Sequence, residues 1–255
     1  MTPAIPRSGV APVLILLHGA GGNQAMWNAV RRHLDPRWQV LALDLPGHGS
    51  KSGGEYTVEA AVETVASAVR QLAPARVVLV GDSLGGYTAM ASARAIAPQQ
   101  LAGLAVGGCT QNFIGKPLRA LRRSALMVRV MLALFNEKKL VARSAAKLVK
   151  KGIQRHDVDA LIAANLDMHG FVQAVQSIAN RDFLSQVPDI AAPILFINGD
   201  QDKGPVAHEA EFVAAARNGS AVRFPCEHGV SLWMPAEFAG AVNRFVERQM
   251  SKAAA

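Results

Sequence analysis

Cysteine is scarce in this chain, which has two, Cys109 and Cys226, among its 255 residues. They lie far apart in sequence, whereas a disulfide framework or a cysteine-based metal site needs more thiols at closer spacing. The two cysteines therefore suggest neither a disulfide framework nor a metal site. We expect no bound metal and no other cofactor. A reduced, cytoplasmic setting is the expectation for such a chain.

Long apolar runs are also absent. Half of the residues are hydrophobic, which suits a sizeable core, but no uninterrupted apolar run approaches the roughly 20 residues that cross a bilayer. The first residues, Met1–Arg7, lack the apolar stretch of a secretory signal peptide. We expect no stable insertion into a membrane, and nothing in the sequence predicts the oligomeric state.

Acidic residues are nearly missing from one segment. Between Lys116 and Arg155, twelve Lys or Arg accompany one acid, Glu137, so the segment has a balance of +11 while the whole chain carries +8. Basic residues interleaved with aromatic ones do not occur, so we expect no nucleic-acid partner. The segment is open to three interpretations: a solvated exterior, an attractor of anionic substrate, or a face that lies on a membrane.

Apolar runs that suit buried strands alternate with amphipathic segments that suit helices. The runs show no period-two alternation, which is typical of parallel strands covered on both faces. The predicted strands are Pro12–Leu17, Gln39–Leu43, Arg76–Val80, Leu101–Val106, Pro193–Asn198 and Ala221–Pro225. The predicted helices between them are Ala25–Leu34, Val58–Leu72, Leu84–Ala97, Val206–Arg217 and Ala236–Gln249. We therefore predict an α/β fold with a doubly wound, mostly parallel sheet.

The alternation stops between Cys109 and about Val187, where only helical patterns occur. One apolar stripe recurs at three- and four-residue steps from Leu118 to Phe135. Further helices are predicted at Glu137–Lys151, Asp157–Met168 and Phe171–Arg181. We expect a core of residues 1–109 and 187–255 and an inserted all-helical cap of residues 110–186 that covers the carboxyl edge of the sheet.

One tight turn joins a strand to a helix at Gly81-Asp82-Ser83-Leu84-Gly85. Such a turn strains the backbone of its central residue and leaves room only for glycine two positions away on either side. It lifts the Ser83 hydroxyl clear of the sheet, at a helix N-terminus that favours developing negative charge. Ser83 is therefore the candidate nucleophile.

A serine needs a base to take its proton and a third group to orient that base. A strained-elbow hydrolase has these in the order Ser, acid, His. Here Ser83 is followed by Asp202 and His228. Asp200, two residues before Asp202, is the alternative acid.

The chain resembles the α/β-hydrolase-fold serine hydrolases that carry a helical cap. Five motifs support the resemblance in the expected order: His18-Gly19-Ala20-Gly21-Gly22 as the oxyanion loop, Asp44-Leu45-Pro46-Gly47-His48-Gly49-Ser50 as the D-x-x-G-x-G-x-S loop, Gly81–Gly85 as the nucleophile elbow, Gly199-Asp200-Gln201-Asp202 as the acid turn, and His228 with Pro235 and Phe238 downstream. The resemblance spans nearly the whole chain.

The resemblance implies further roles. The backbone N–H groups of Ala20 and Leu84 would form the oxyanion hole, and His18 and His48 would be structural hydrogen-bonding residues. It also implies an opening antiparallel hairpin, but about eleven residues precede the first strand, so we expect that hairpin to be missing or reduced.

Three residues depart from the family pattern. Asp82 stands where the family often has His, Glu227 where Gly is common, and Trp233 where an acidic residue is frequent. For Asp82 two interpretations stay open: it raises the pKa of the serine or the histidine, or it faces a neighbouring loop. The other two departures concern the subfamily and leave the triad unaffected.

The expected activity is cleavage of a carboxylic ester with a small to medium acyl group through a Ser-His-Asp acyl-enzyme. The partner is then a small ester-like molecule. Thioester, lactone and C–C bond hydrolysis on the same fold are alternatives, since triad chemistry does not separate them. Two hypotheses of another class are a ligand receptor that retains the triad and a cofactor-free peroxidase-like enzyme.

Overall fold

A six-stranded parallel sheet forms the centre of the molecule. The computed structural model describes residues 11–254, with side chains through residue 251. The strands are β1 Val13–Leu17, β2 Val40–Leu43, β3 Val77–Asp82, β4 Leu101–Gly107, β5 Ile194–Gly199 and β6 Gly219–Phe224. They lie in the order β2-β1-β3-β4-β5-β6, and every neighbouring pair is parallel. The predicted α/β fold class is confirmed.

The sheet is parallel because its central strands are apolar on both faces. Every residue of β1, β3, β4 and β5 is buried. Successive side chains point to opposite faces, so Ile15 and Leu79 pack in one apolar layer while Leu14 and Val78 pack in the other. A half-solvated antiparallel sheet would need alternating polar residues, which these strands lack.

Helices cover both faces of the sheet. Their bounds are α1 Asn28–Arg31, α2 Val58–Leu72, α3 Leu84–Ser92, α4 Gly115–Leu134, α5 Glu137–Lys150, α6 Arg155–Ala163, α7 Met168–Ile178, α8 Lys203–Ala215, α9 Val230–Trp233 and α10 Pro235–Ala254. The helix predicted at Leu84–Ala97 ends earlier, at Ser92, and the one predicted at Asp157–Met168 is observed at Arg155–Ala163. The predicted α2 coincides with the observed one, and Thr57 caps it by accepting the Ala60 N–H at 3.0 Å.

One predicted helix is wrong in form. Residues predicted as a single helix, Ala25–Leu34, form a 3₁₀ turn over Gln24–Trp27 followed by the single turn α1. The side chain of Asn23 accepts the N–H of Ala25 and donates to the carbonyl of Leu161, which lies between β4 and β5 in sequence. This tertiary contact holds residues Gln24–Trp27 in a tight turn.

Helices α4 to α7 follow one another between β4 and β5, and they contact the loops at the carboxyl edge of the sheet. Asp167 donates its N–H to the carbonyl of Gly21, at 3.2 Å. Gln173 on α7 accepts the N–H of Tyr56, at 3.0 Å. The segment therefore lies over the edge at which the candidate site residues are placed.

The predicted reduction of the opening hairpin concerns residues before Ala11, which lie outside the described residues. Within residues 11–254 the sheet contains parallel strands only. In the same part of the chain, no helix is long and apolar enough to cross a membrane.

Candidate active site

Ser83 lies at the turn between β3 and α3 with a strained backbone. Its φ is 55° and its ψ is −116°, a combination that a residue with a side chain rarely adopts. A Cβ on Gly85 would overlap the carbonyl oxygen of Leu17, and one on Gly81 would overlap the carbonyl of Gly85. The elbow can be this tight because the positions two residues before and after Ser83 are both glycine.

The structure brings Ser83, His228 and Asp202 into one chain of contacts. His228 Nε2 lies 2.9 Å from Ser83 Oγ, and His228 Nδ1 lies 2.5 Å from Asp202 Oδ2. The three residues come from β3–α3, the loop after β6 and the turn after β5. Asp200, the alternative acid, is exposed and makes no side-chain contact with His228 among the described residues.

The loop that carries His228 is held on two sides. Trp233 Nε1 donates to the His228 carbonyl at 2.8 Å. Lys151, at the end of α5, forms an ion pair of 2.7 Å with Glu227 and lies 5.3 Å from the centre of the Trp233 ring. The two departures from the family pattern, Glu227 and Trp233, thus connect the helical segment to the candidate base.

The electrostatics of His228 suit a base. Burial lowers its pKa, but the hydrogen bond and charge of Asp202, followed by the charge of Asp82, outweigh that effect, so the pKa lies above its ordinary value. A raised pKa makes the neutral imidazole a stronger acceptor for the Ser83 proton.

The loop after β1 and the elbow contain the two backbone N–H groups that were predicted to be oxyanion donors. In the loop after β1, the Gly19 N–H donates to Met26 Sδ and the Gly21 N–H donates to His48 Nε2. The N–H groups of Ala20, between them, and of Leu84, after the elbow serine, have no acceptor within residues 11–254. The two N–H groups predicted as oxyanion donors are thus without an acceptor among the described residues.

His18 and His48 hold the oxyanion loop in place. His18 Nε2 accepts the Leu45 N–H at 3.0 Å, so its proton is on Nδ1, which lies 2.8 Å from the Gly19 carbonyl. Burial, together with the neighbouring His48, lowers the pKa of His18 to about 4. Burial also lowers the pKa of His48. Both rings are neutral, and both nitrogens of each ring lie within hydrogen-bond distance of backbone groups, as a structural role requires.

Asp44 joins the loops after β1 and β2. Its carboxylate accepts the N–H groups of Gln24 and Ser50, at 2.7 and 2.9 Å, and the Ser50 hydroxyl at 2.8 Å. Burial raises the pKa of Asp44, but these hydrogen bonds outweigh it and the pKa is lowered. A Cβ on Gly49 would overlap this carboxylate, which explains the glycine at position 49 of the Asp44–Ser50 loop.

Sequence reasoning missed a buried polar network behind the site. Asn198, in β5, accepts the Gly108 N–H at 3.1 Å and donates to Glu209 at 2.7 Å. Glu209 also accepts from Arg223, at 2.9 Å. Gly108 adjoins the His228 ring, so the network fixes the wall against which the base rests. The sequence feature that could have indicated this network is Asn198, a polar residue at the end of an apolar predicted strand.

Three further histidines, His156, His169 and His208, lie outside the site. Their side chains are exposed or partly exposed and lie near the carboxylates of Asp157, Glu137 and Glu211, respectively.

Comparisons with known proteins agree with this architecture. Residues 14–241 match the model of the alpha/beta hydrolase family. The chain is 43% identical over 98 residues to an esterase of Mycobacterium tuberculosis, covering 37% of this chain and 32% of that one. It is 35% identical over 113 residues to a pimeloyl-[acyl-carrier protein] methyl ester esterase of Methylococcus capsulatus, covering 44% and 43%. The chain thus spans less than half the length of these curated relatives.

A solved structure of a thermophilic esterase from Thermogutta terrifontis superposes with a TM-score of 0.72 at 23% identity, over 97% of this chain and 93% of that one. At this identity the likeness supports the fold alone. The family match covers most of the chain, from the first strand into the last helix. The chain therefore belongs to the alpha/beta hydrolase family.

Proposed function

We propose that this protein is a serine hydrolase that cleaves a carboxylic ester through an acyl-enzyme. One observation carries the proposal: a serine with strained backbone contacts the imidazole of His228 at 2.9 Å, and that imidazole contacts Asp202 at 2.5 Å. Each element of the arrangement has a task in acyl transfer, and a solvated turn serine would need none of them.

In the acylation step, His228 Nε2 takes the Ser83 hydroxyl proton while Oγ attacks the ester carbonyl carbon. Asp202 holds Nδ1 and stabilises the imidazolium. The tetrahedral oxygen receives hydrogen bonds from the Ala20 and Leu84 N–H groups. The carbon–oxygen bond to the leaving alcohol then breaks, and that alcohol takes the proton from His228. Water repeats the sequence to release the acid.

Relatives named as esterases support an ester substrate. We propose an ester with a small to medium acyl group. Thioester, lactone and C–C bond cleavage use the same residues and stay as alternatives. A small molecule is the proposed partner in each case.

We further propose that residues 110–186 form a separate cap whose inner face sets the acyl preference. Its support is the placement of α4 to α7 over the carboxyl edge of the sheet, where Asn23 and Gly21 contact Leu161 and Asp167. Ligands of open parallel sheets bind at that edge.

A p-nitrophenyl ester series of increasing acyl length, combined with fluorophosphonate labelling, tests the proposal. We expect Ser83-dependent labelling and a rate that peaks at a short or medium chain. Labelling retained in Ser83→Ala, with the fold intact, would reject Ser83 as nucleophile. Tight ligand binding without turnover of any activated ester would favour the receptor hypothesis, and dependence on a carboxylic acid co-substrate would favour the peroxidase-like one.

A further inference from the structure

Asp82 is a fully buried carboxylate that the acyl-transfer steps above do not use. It is the last residue of β3. Its Oδ2 accepts the N–H of Ser231 at 3.2 Å and also the Ser231 hydroxyl. Its Oδ1 is buried and has no hydrogen-bond partner within residues 11–254. A buried, unpaired carboxylate oxygen is costly, so its presence calls for an explanation.

The bond to Ser231 connects the two halves of the candidate site. Ser231 lies three residues after His228, where α9 begins beyond the left-handed Gly229 with φ of 94°. Asp82 directly precedes Ser83. One carboxylate therefore ties the backbone that carries the base to the strand that carries the nucleophile.

The unpaired oxygen faces the imidazole side of the site. A Cβ on Gly108 would lie 2.9 Å from His228 Cε1 and 3.4 Å from Asp82 Oδ1. Both groups thus border the same small space, which stays open because position 108 is a glycine with φ of +59°. Asp202 is hydrogen-bonded to Nδ1 of the same ring, so two carboxylates border the imidazole.

We propose that Asp82 is a positioning residue: it fixes the His228 loop against the nucleophile strand and places a second negative charge beside the imidazolium that forms when Ser83 gives up its proton. The inference rests on the proposed function of the site. The contribution of Asp82 to the raised pKa of His228, after that of Asp202, agrees with it.

The other charged groups around His228 are accounted for. Asp202 is hydrogen-bonded to Nδ1. Glu227 is paired with Lys151 from the helical segment, so their charges largely cancel. The side chain of Asp200 is exposed to solvent. Asp82 is the buried carboxylate in this group whose second oxygen receives no hydrogen bond from residues 11–254.

Asp82→Asn and Ser231→Ala separate the charge from the mechanical tie. Asparagine keeps an acceptor for Ser231 and removes the charge, so the acid limb of kcat/KM should move to lower pH and kcat should fall while KM stays. Ser231→Ala keeps the charge and loosens the loop, so kcat should fall by up to about 100-fold, the scale of a small misplacement, with the acid limb unmoved. NMR titration of His228 provides the same readout without substrate.

The inference would be overturned if folded Asp82→Asn kept both the acid limb of kcat/KM and the His228 titration at the wild-type pH. If asparagine prevents folding, Asp82→Thr gives the same readout, because threonine is neutral, offers an oxygen to Ser231 and suits a strand. Wild-type activity is measured first. Absence of Ser83-dependent turnover would reject the proposed function, whereas turnover with an unmoved titration would reject only the role of Asp82.

Discussion

The sheet and the helical segment α4–α7 differ in the fraction of their residues that is buried. All seven residues of β4 are buried, whereas α4 buries three of its twenty, Leu118, Ala125 and Val128. Leu126 and Leu134 on α4 are 58% and 71% exposed. The stretch of the helical segment from Lys116 to Arg155 also has a balance of +11, against +8 for the whole chain. The comparison teaches that the sheet holds the candidate residues rigidly, while the segment attaches along a narrow stripe and leaves its outer surface free to vary.

The largest effect should come from the acid that the sheet places. Asp202→Asn should lower kcat by about 10³–10⁴-fold, because His228 loses the group that orients it. Asp200→Asn, in the same turn, should stay near the wild-type rate since its side chain is exposed. Steady-state kinetics on folded variants measure both. A larger loss in Asp200→Asn would show that the wrong acid has been assigned.

The burial difference predicts a difference in stability. Leu104→Ala in β4 should lower the free energy of unfolding by about 2–5 kcal/mol, because it leaves a cavity in a close-packed layer. Leu126→Ala on α4 is the matched control and should change it by no more than about 0.5 kcal/mol. Urea titration followed by circular dichroism measures both. Equal losses of unfolding free energy in the two variants would contradict the difference in burial between β4 and α4.

The pH dependence of activity reports the site built by the sheet. The neutral form of His228 accepts the Ser83 proton, so kcat/KM should fall as the pH drops through the His228 pKa. Because Asp202 raises that pKa, the midpoint should lie above about 6.5, the ordinary histidine value. A pH–rate profile on a neutral ester measures it. A midpoint below 6.5 would contradict the assigned geometry.

The smallest effect concerns the charge of the helical segment. If this charge steers an anionic substrate, added salt should lower kcat/KM for an anionic ester and leave a neutral ester of equal acyl length unchanged, since the Debye length is about 8–10 Å near physiological ionic strength. Stopped-assay rates from low to high salt measure this. Arg122 and Arg123 are exposed on α4, so reversing both charges to Glu should remove the difference.

Reversal of Arg244 and Arg248 to Glu is the matched control. Both arginines border a cavity with Pro193 and Asn218, which precede β5 and β6 and so lie at the amino edge, away from Ser83. This control should keep the salt dependence. The same salt dependence for both esters in the wild type would leave the segment as a solvated exterior.

Sequence patterns predicted all six strands, whether their residues are buried throughout, as in β1 and β3, or partly exposed, as in β6. Each strand was predicted within two residues of its observed start and end, because runs such as Val77–Val80 are apolar without alternation. The failure at Ala25–Leu34 has a tertiary cause: Asn23 bonds to Leu161, a residue 138 positions away. No local pattern encodes such a contact.

The residues of the candidate site were predictable from the sequence, but the contacts between them were less so. The glycines around Ser83 and the order of Asp202 and His228 are sequence features. Whether Asp200 or Asp202 meets His228 depends on which side chain of one turn points inward. The burial of Asp82 against Ser231 depends on how the loop after β6 folds back onto β3.

The sequence by itself determined the family, the parallel sheet and the positions of five motifs, because apolar runs and paired glycines act locally on the backbone. Only the tertiary structure decided which acid contacts the base, which N–H groups stay free beside Ser83, and that Asp82 is buried with one oxygen unpaired. These outcomes depend on distances between loops far apart in the chain, and such distances are set by the packing of the whole sheet.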